Sequence, residues 1–299
     1  MSHCLKNWIW AFGSIFIGFF LFLFCNSQTK GFRAANITPA VLFDERWEVA
    51  NNLTSDEQAE LFKTLHTPFY FLGKGGTADV FRSQDDRFVI KFLKKSRFTP
   101  PSWATWQLSQ LFIPSICNDI VSSRKKHYEL QYSSYKMSIE RLQHQTGVVY
   151  LHLNPTSDLK TPIVFYDNIG VKHQADADTT AFVIQKKAQP FPLYFKQLLA
   201  NGDKEKAKKI LAEFASFLNE RAEKGIKDAD IGPRFNLGIF KDTVMTFDID
   251  QLRTSSHLNL SREEHMLQDA KEMFYWLQSK DADLVCFLKE EIARLATSS

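Results

Sequence analysis

Between Phe69 and Leu93 the hydrophobic positions fall in three short runs, Phe69-Tyr70-Phe71-Leu72, Val80-Phe81-Arg82 and Arg87 to Leu93. Glycines and the Asp85-Asp86 pair break them, and short aromatic and β-branched runs between turn residues predict strands. Ahead of them, Thr54 followed by Glu57 forms a capping box and predicts a helix from Thr54 to Leu65. Pro100-Pro101 closes this unit, and the Trp-rich stretch from Ser102 to Asn118 has no assignable period. Beyond it, Arg124 to Gln145 reads as a long helix closed by Gly147. Val148 to Leu153, Thr161 to Tyr166 and Ala181 to Lys187 read as strands. From Asp203 to Lys224 the apolar Ala207, Ile210, Leu211, Phe214, Leu218 and Ala222 recur at helical spacing, with Gly225 as the stop. A hairpin near Gly238 to Phe247 and two helices from Ser261 onward complete the chain, Ser261 and Glu264 making a second capping box. Strands with one long helix are thus followed by mostly helices, which predicts an α+β chain of two lobes with a cleft between them.

Composition changes this picture little. At 299 residues the chain fits one large domain or two small lobes, and 44% hydrophobic with 24% charged residues is ordinary for a globular protein. Phenylalanine is abundant, with 27 copies spread along the whole length. A net charge of +3, with no basic stripe, argues against a nucleic-acid partner. Of the cysteines, Cys117 and Cys286 have no neighbour at metal-ligand spacing and are expected to be buried structural thiols, so no disulfide framework is expected. Residues 1 to 30 stand apart. Trp8 to Phe24 carries no charge and follows Lys6, the pattern of a signal peptide or short membrane anchor, so membrane attachment or export is expected. Residues 31 to 68 read as a linker and leading helix, and residues 69 to 299 as the main domain, divided near residue 187.

The chemistry starts at Gly73-Lys74-Gly75-Gly76-Thr77-Ala78-Asp79-Val80. Glycines inside a strand pattern need a local reason, either a tight turn or a backbone that must lie close to a ligand such as a phosphate. No Gly-Lys-Ser/Thr follows, which excludes a Walker A loop. Lys91 in Phe88-Val89-Ile90-Lys91 is a lysine within an apolar strand, a position suited to meeting an anion in a cleft. Further on, Asn236-Leu237-Gly238-Ile239-Phe240, a Lys241-Asp242 turn and the return to Asp248-Ile249-Asp250 make one short hairpin with an amide and a carboxylate at its ends.

These stretches resemble the motifs of protein kinases: Gly-x-Gly-x-x-Gly-x-Val with Ala78 at the third glycine, Val-Ala-Ile-Lys around Lys91, and Asp-Phe-Gly around Asp248. The resemblance spans roughly Phe69 to Leu252. It implies a bilobal protein-kinase-like fold, with a small β-rich N-lobe and a reduced helical C-lobe. It also implies ATP and Mg²⁺ as cofactors and a hydroxyl-bearing acceptor on a protein, sugar or lipid head group. On it, Gly73, Gly75, Gly76, Val80 and Lys91 hold the nucleotide, Gln185 and Lys187 flank the adenine, and Asn236 and Asp248 hold the metal. Either Glu129 or Glu140 pairs with Lys91. The catalytic Asp would fall at position 231, which is Ile231, so the loop is longer and both Asp228 and Asp230 are candidates, with Asp228 preferred. The motif histidine is missing, and no Ala-Pro-Glu follows Asp248. These departures point to an atypical kinase of the small-molecule, sugar or lipid-core type, or alternatively to a pseudokinase that serves as a nucleotide-binding scaffold.

Overall fold

In a computed structural model the described residues are 3–37, 43–228, 231–232, 236–254 and 260–297. The chain divides into two compact units. One is built from Met1–Phe43, Thr54–Ser96 and Asn154–Phe182, the other from Asp44–Leu53, Arg97–Leu153 and Val183–Ser299. The architecture is α+β, with strands dominating the first unit and helices the second.

The first unit is organised by three antiparallel strands, β1 (Phe69–Lys74), β2 (Ala78–Ser83) and β3 (Phe88–Leu93). Strand Pro162–Tyr166 adds parallel to β1, and Lys172–Asp176 pairs antiparallel to it at the edge. The edge strand escapes a reading of the sequence because Lys-His-Gln-Ala-Asp has no apolar alternation. One face of the sheet gathers Phe71, Phe81, Phe92 and Phe165, with ring centroids 4.9 Å apart for Phe81–Phe165 and 5.0 Å for Phe92–Phe165. Edge-on and tilted contacts of this kind add to the area buried, and they absorb part of the phenylalanine surplus. Phe32, from the stretch expected to be a linker, is 4% exposed and packs edge-on against Phe81 and Phe165 in the same cluster. Order in this unit therefore begins before Ala34. Helix Ser55–Leu65 forms where expected, its capping box closed in both directions between Thr54 and Glu57.

The uncharged N-terminal run lies in helix His3–Gln28, whose described rings are exposed. Among the described residues no helix is long and apolar enough to cross a membrane. That finding overturns the expected membrane anchor or export segment and the location assigned from it.

The second unit packs helices Phe191–Ala200, Lys204–Glu223, Arg262–Asp269, Lys271–Gln278 and Ala282–Thr297 around one apolar core. Phe214, Leu218 and Ile210 of the predicted helical stripe are buried there beside Leu284, Leu288 and Ile292. Among the described residues the C-terminal stretch holds three helices where two were expected, because Ala270 and residues 279–281 interrupt it. The long helix starts at Pro114 rather than Arg124 and ends at Glu140. Its first turns leave Ile116 exposed, so no apolar stripe betrays them in the sequence. A short helix, Gln143–Thr146, then stops at Gly147, whose φ of 61° is left-handed and suits glycine. Cys117 is buried as expected, but Cys286 is exposed on its helix, because the buried stripe there runs through Leu284, Leu288 and Ile292.

Candidate functional site

In the first unit the glycine stretch is the β1–β2 connection. A register shift between Phe71 and Gly73 places Gly73 opposite Val80 and Lys74 opposite Asp79. Gly75 N–H donates to the Ala78 carbonyl at 2.9 Å, which closes the turn. A Cβ at Gly75 would stand 3.2 Å from that carbonyl, so glycine fits the turn itself. Gly73 differs: its φ is not left-handed, and a Cβ there would meet nothing within 4 Å. Among the described residues nothing would crowd a side chain at 73.

Val80 and Lys91 stand directly opposite each other in the β2–β3 ladder, so both side chains project from one face of the sheet. Lys91 is half-buried, flanked by the buried Ile90 and Phe92. The other face carries Phe81 opposite Ile90 and Asp79 opposite Phe92. On that side lies a lysine that the motif reading passed over. Lys94 is buried, its Nζ is 3.2 Å from Asp79 Oδ1, and it also donates to the Gly75 carbonyl. Its own N–H donates to the Thr77 carbonyl at 2.8 Å. Burial raises the Asp79 pKa and the Lys94 charge pulls it back. The sequence signal was available: Lys94 continues the parity of Ile90 and Phe92, and Asp79 that of Phe81, so two charges sit on an apolar face. Lys74 Nζ reaches the Gly31 carbonyl at 3.0 Å, tying the start of the loop to the segment that carries Phe32.

In the second unit, strands Leu237–Phe240 and Thr243–Thr246 form the expected hairpin, Leu237 opposite Thr246. One step beyond the ladder, Phe247 N–H donates to the Asn236 carbonyl at 3.0 Å. Asn236 and Asp248 thus flank the open end of the hairpin. The Thr246 hydroxyl is shared between them, 3.1 Å from the Asn236 carbonyl and 3.0 Å from the Asp248 carbonyl. An amide oxygen and a carboxylate form a donor set that suits Mg²⁺, which usually takes one or two protein oxygens and completes its shell with phosphate and water.

The residues after Asp248 are tied to the long helix Pro114–Glu140. Ser134 Oγ donates to the Ile249 carbonyl and accepts from Leu252 N–H, both at 2.7 Å, and Gln131 Nε2 lies 3.4 Å from Asp250 Oδ2. Gln131 and Ser134, with Ser138, are buried polar residues of this helix. Glu129 instead lies 3.4 Å from Arg46, and Glu140 3.7 Å from Lys136, both at exposed positions of the same unit. Gln185 is fully buried, and its amide donates to the Thr246 carbonyl at 3.0 Å and to the Thr146 carbonyl. Lys187 is half-buried just past the end of its strand.

Asp228 ends the short strand Ile226–Asp228, opposite Leu252. Its carboxylate is 3.0 Å from Arg221 Nη1, with side-chain exposures of 1% and 0%. Arg221 also donates from Nε to Gln145 Oε1 at 2.9 Å, and its guanidinium lies 4.2 Å from the Phe217 ring centre. Nearby, burial pushes the Asp269 carboxyl up to about 6. Asp230 lies outside the described residues.

No protein-family model and no curated protein matches the sequence. Among solved structures, a crystal structure of WbdD is 13% identical at a TM-score of 0.35, covering 75% of this chain and 46% of that one. Another WbdD structure, called a bifunctional kinase-methyltransferase, is 13% identical at 0.34, covering 74% and 44%. A WbdD co-crystal with the kinase inhibitor LY294002 is 14% identical at 0.34, covering 76% and 45%. The chain spans less than half the length of these proteins, and likeness at such TM-scores carries no argument about chemistry.

Proposed function

We propose that the chain is an ATP-dependent phosphotransferase of the atypical kinase class, acting on a hydroxyl-bearing acceptor. The observation that carries the reading is the hairpin end at which Asn236 and Asp248 stand together, pinned by the Thr246 hydroxyl. On this reading Asn236 and Asp248 would hold Mg²⁺, which supplies charge neutralisation at the transferring phosphoryl group. Gly73, Gly75 and Gly76 bring bare backbone to the phosphates, and Lys91, on the same face as Val80, neutralises them. Gly73 supports this assignment, because among the described residues no crowding of a Cβ accounts for a glycine there. Asp230 orients the acceptor hydroxyl and takes its proton. It replaces Asp228 in that role because the Asp228 carboxylate is buried and engaged by Arg221.

The same engagement favours a second reading. If Asp230 does not supply the base, the chain is a nucleotide-binding scaffold. Thermal-shift titration with Mg-ATP and with ATP alone separates these readings from a fold without a nucleotide site. Mg-ATP is expected to stabilise the parent more than ATP alone, and Asp248→Asn to remove that difference. An Asp248→Asn chain that keeps the full Mg²⁺-dependent gain puts the metal elsewhere. Asp230→Ala should keep the gain and lower ATP turnover by about 10²- to 10⁴-fold; a parent without turnover leaves the scaffold.

A further inference from the structure

The Asp79–Lys94 ion pair has no part in the chemistry just described, and its position is costly. Its side chains are 2% and 5% exposed. They lie on the sheet face that also carries Phe81, Ile90 and Phe92. Taking both charges out of water costs more than a well-packed apolar pair, so such a pair is poor as a stabiliser. What it does instead is visible at the Lys94 ammonium. Besides its ion pair with Asp79, that group donates to the Gly75 carbonyl, while the Lys94 N–H donates to the Thr77 carbonyl. The ammonium therefore holds one carbonyl of the glycine loop from the buried side, and the main chain of the same residue holds a second. Because a trans peptide sets its C=O and N–H on opposite sides, holding the Gly75 carbonyl inward directs the Gly76 N–H the other way.

We propose that Lys94 and Asp79 are positioning residues for the glycine loop: Asp79 fixes the Lys94 ammonium, and Lys94 holds the Gly75 and Thr77 carbonyls so that the loop is set to receive the phosphates of a nucleotide. The proposal rests on the nucleotide reading above for its ligand but not for its geometry. It gives the two lysines separate roles. Lys91 meets the ligand, and Lys94 shapes the backbone that meets it.

The single variant Lys94→Met leaves the Asp79 carboxylate in apolar surroundings and is expected to fold poorly. The informative variant replaces both partners, Asp79→Leu with Lys94→Met, and is expected to melt at or above the parent temperature. In the full-length chain without nucleotide, amide exchange should rise at Gly75, Gly76 and Thr77 in the double variant and stay at the parent level in β3. The Kd for Mg-ATP by calorimetry should rise at least tenfold. Lys91→Met should weaken Mg-ATP binding without faster exchange in the loop. Parent-level exchange at Gly75–Thr77 in the double variant overturns the clamp, and so does faster exchange with parent Mg-ATP affinity. A parent that does not bind Mg-ATP overturns the nucleotide reading instead, and the exchange measurement alone then decides the clamp.

Discussion

Arg221 carries its charge in full burial, and three neighbours make that tolerable: the Asp228 carboxylate, the Gln145 amide oxygen and the Phe217 ring. Burial still lowers its pKa, with the Asp228 charge opposing. Such a site makes Asp228→Ala chiefly a stability variant. Removing the carboxylate leaves a guanidinium without its counter-charge, at a cost of about 3–5 kcal/mol. A urea titration at neutral pH should show the loss. Replacing both partners, Arg221→Met with Asp228→Leu, should recover most of it. A positioned catalytic base behaves in the opposite way, since its removal lowers turnover and leaves the fold alone. An Asp228→Ala chain with parent stability and no turnover would return the catalytic role to Asp228.

Within the Leu237–Phe240 and Thr243–Thr246 hairpin, the candidate metal site depends on how the strand ends are finished. Thr246 is buried, and its single O–H lies between two carbonyls, those of Asn236 and Asp248. Gln185, from strand Phe182–Lys186, holds the Thr246 carbonyl, and Ser134 holds Ile249 just beyond. Thr246→Val keeps the branched shape and removes the hydroxyl, taking away the donor that the Asn236 and Asp248 carbonyls share. Its expected cost is about 1–3 kcal/mol, and the Mg²⁺-dependent gain in melting temperature should shrink with it. A Thr246→Val chain with the parent response to Mg²⁺ would show that the hydroxyl finishes the hairpin without setting Asn236 and Asp248.

For the whole molecule, the N-terminal boundary of the first unit is a matter of packing rather than of charge pattern. Phe32 joins the aromatic cluster, the Gly31 carbonyl accepts from Lys74, and Asn168 donates to the Gln28 carbonyl at 2.8 Å. A chain begun at Ala34 loses all three contacts. Losing a buried phenylalanine costs about 3–5 kcal/mol, so that chain should melt well below one begun at Asn26. Equal melting temperatures for the two would return residues 31 to 33 to a linker.

What could be read along the chain was whatever is encoded locally. The Thr54 and Ser261 capping boxes, the apolar stripe of helix Lys204–Glu223, strands β1 to β3 and the Asn236–Asp248 hairpin all announce themselves through neighbours a few residues apart. Elements with no apolar period stayed hidden, among them the edge strand Lys172–Asp176 and the first turns of helix Pro114–Glu140. The sequence by itself determined which residue types could meet a phosphate or a metal, since glycine spacing and strand parity are local properties. It could not show that the Lys94 ammonium meets the Gly75 carbonyl, or that Asp228 pairs with Arg221. Those assignments needed the tertiary structure, because a charge takes its role from the groups that surround it, and here the decisive partners come from other strands and helices. Lys94 meets the Gly75 carbonyl across a turn, and Asp228 meets a guanidinium projecting from helix Lys204–Glu223. Burial then decides whether such a charge serves the fold or remains available to a ligand.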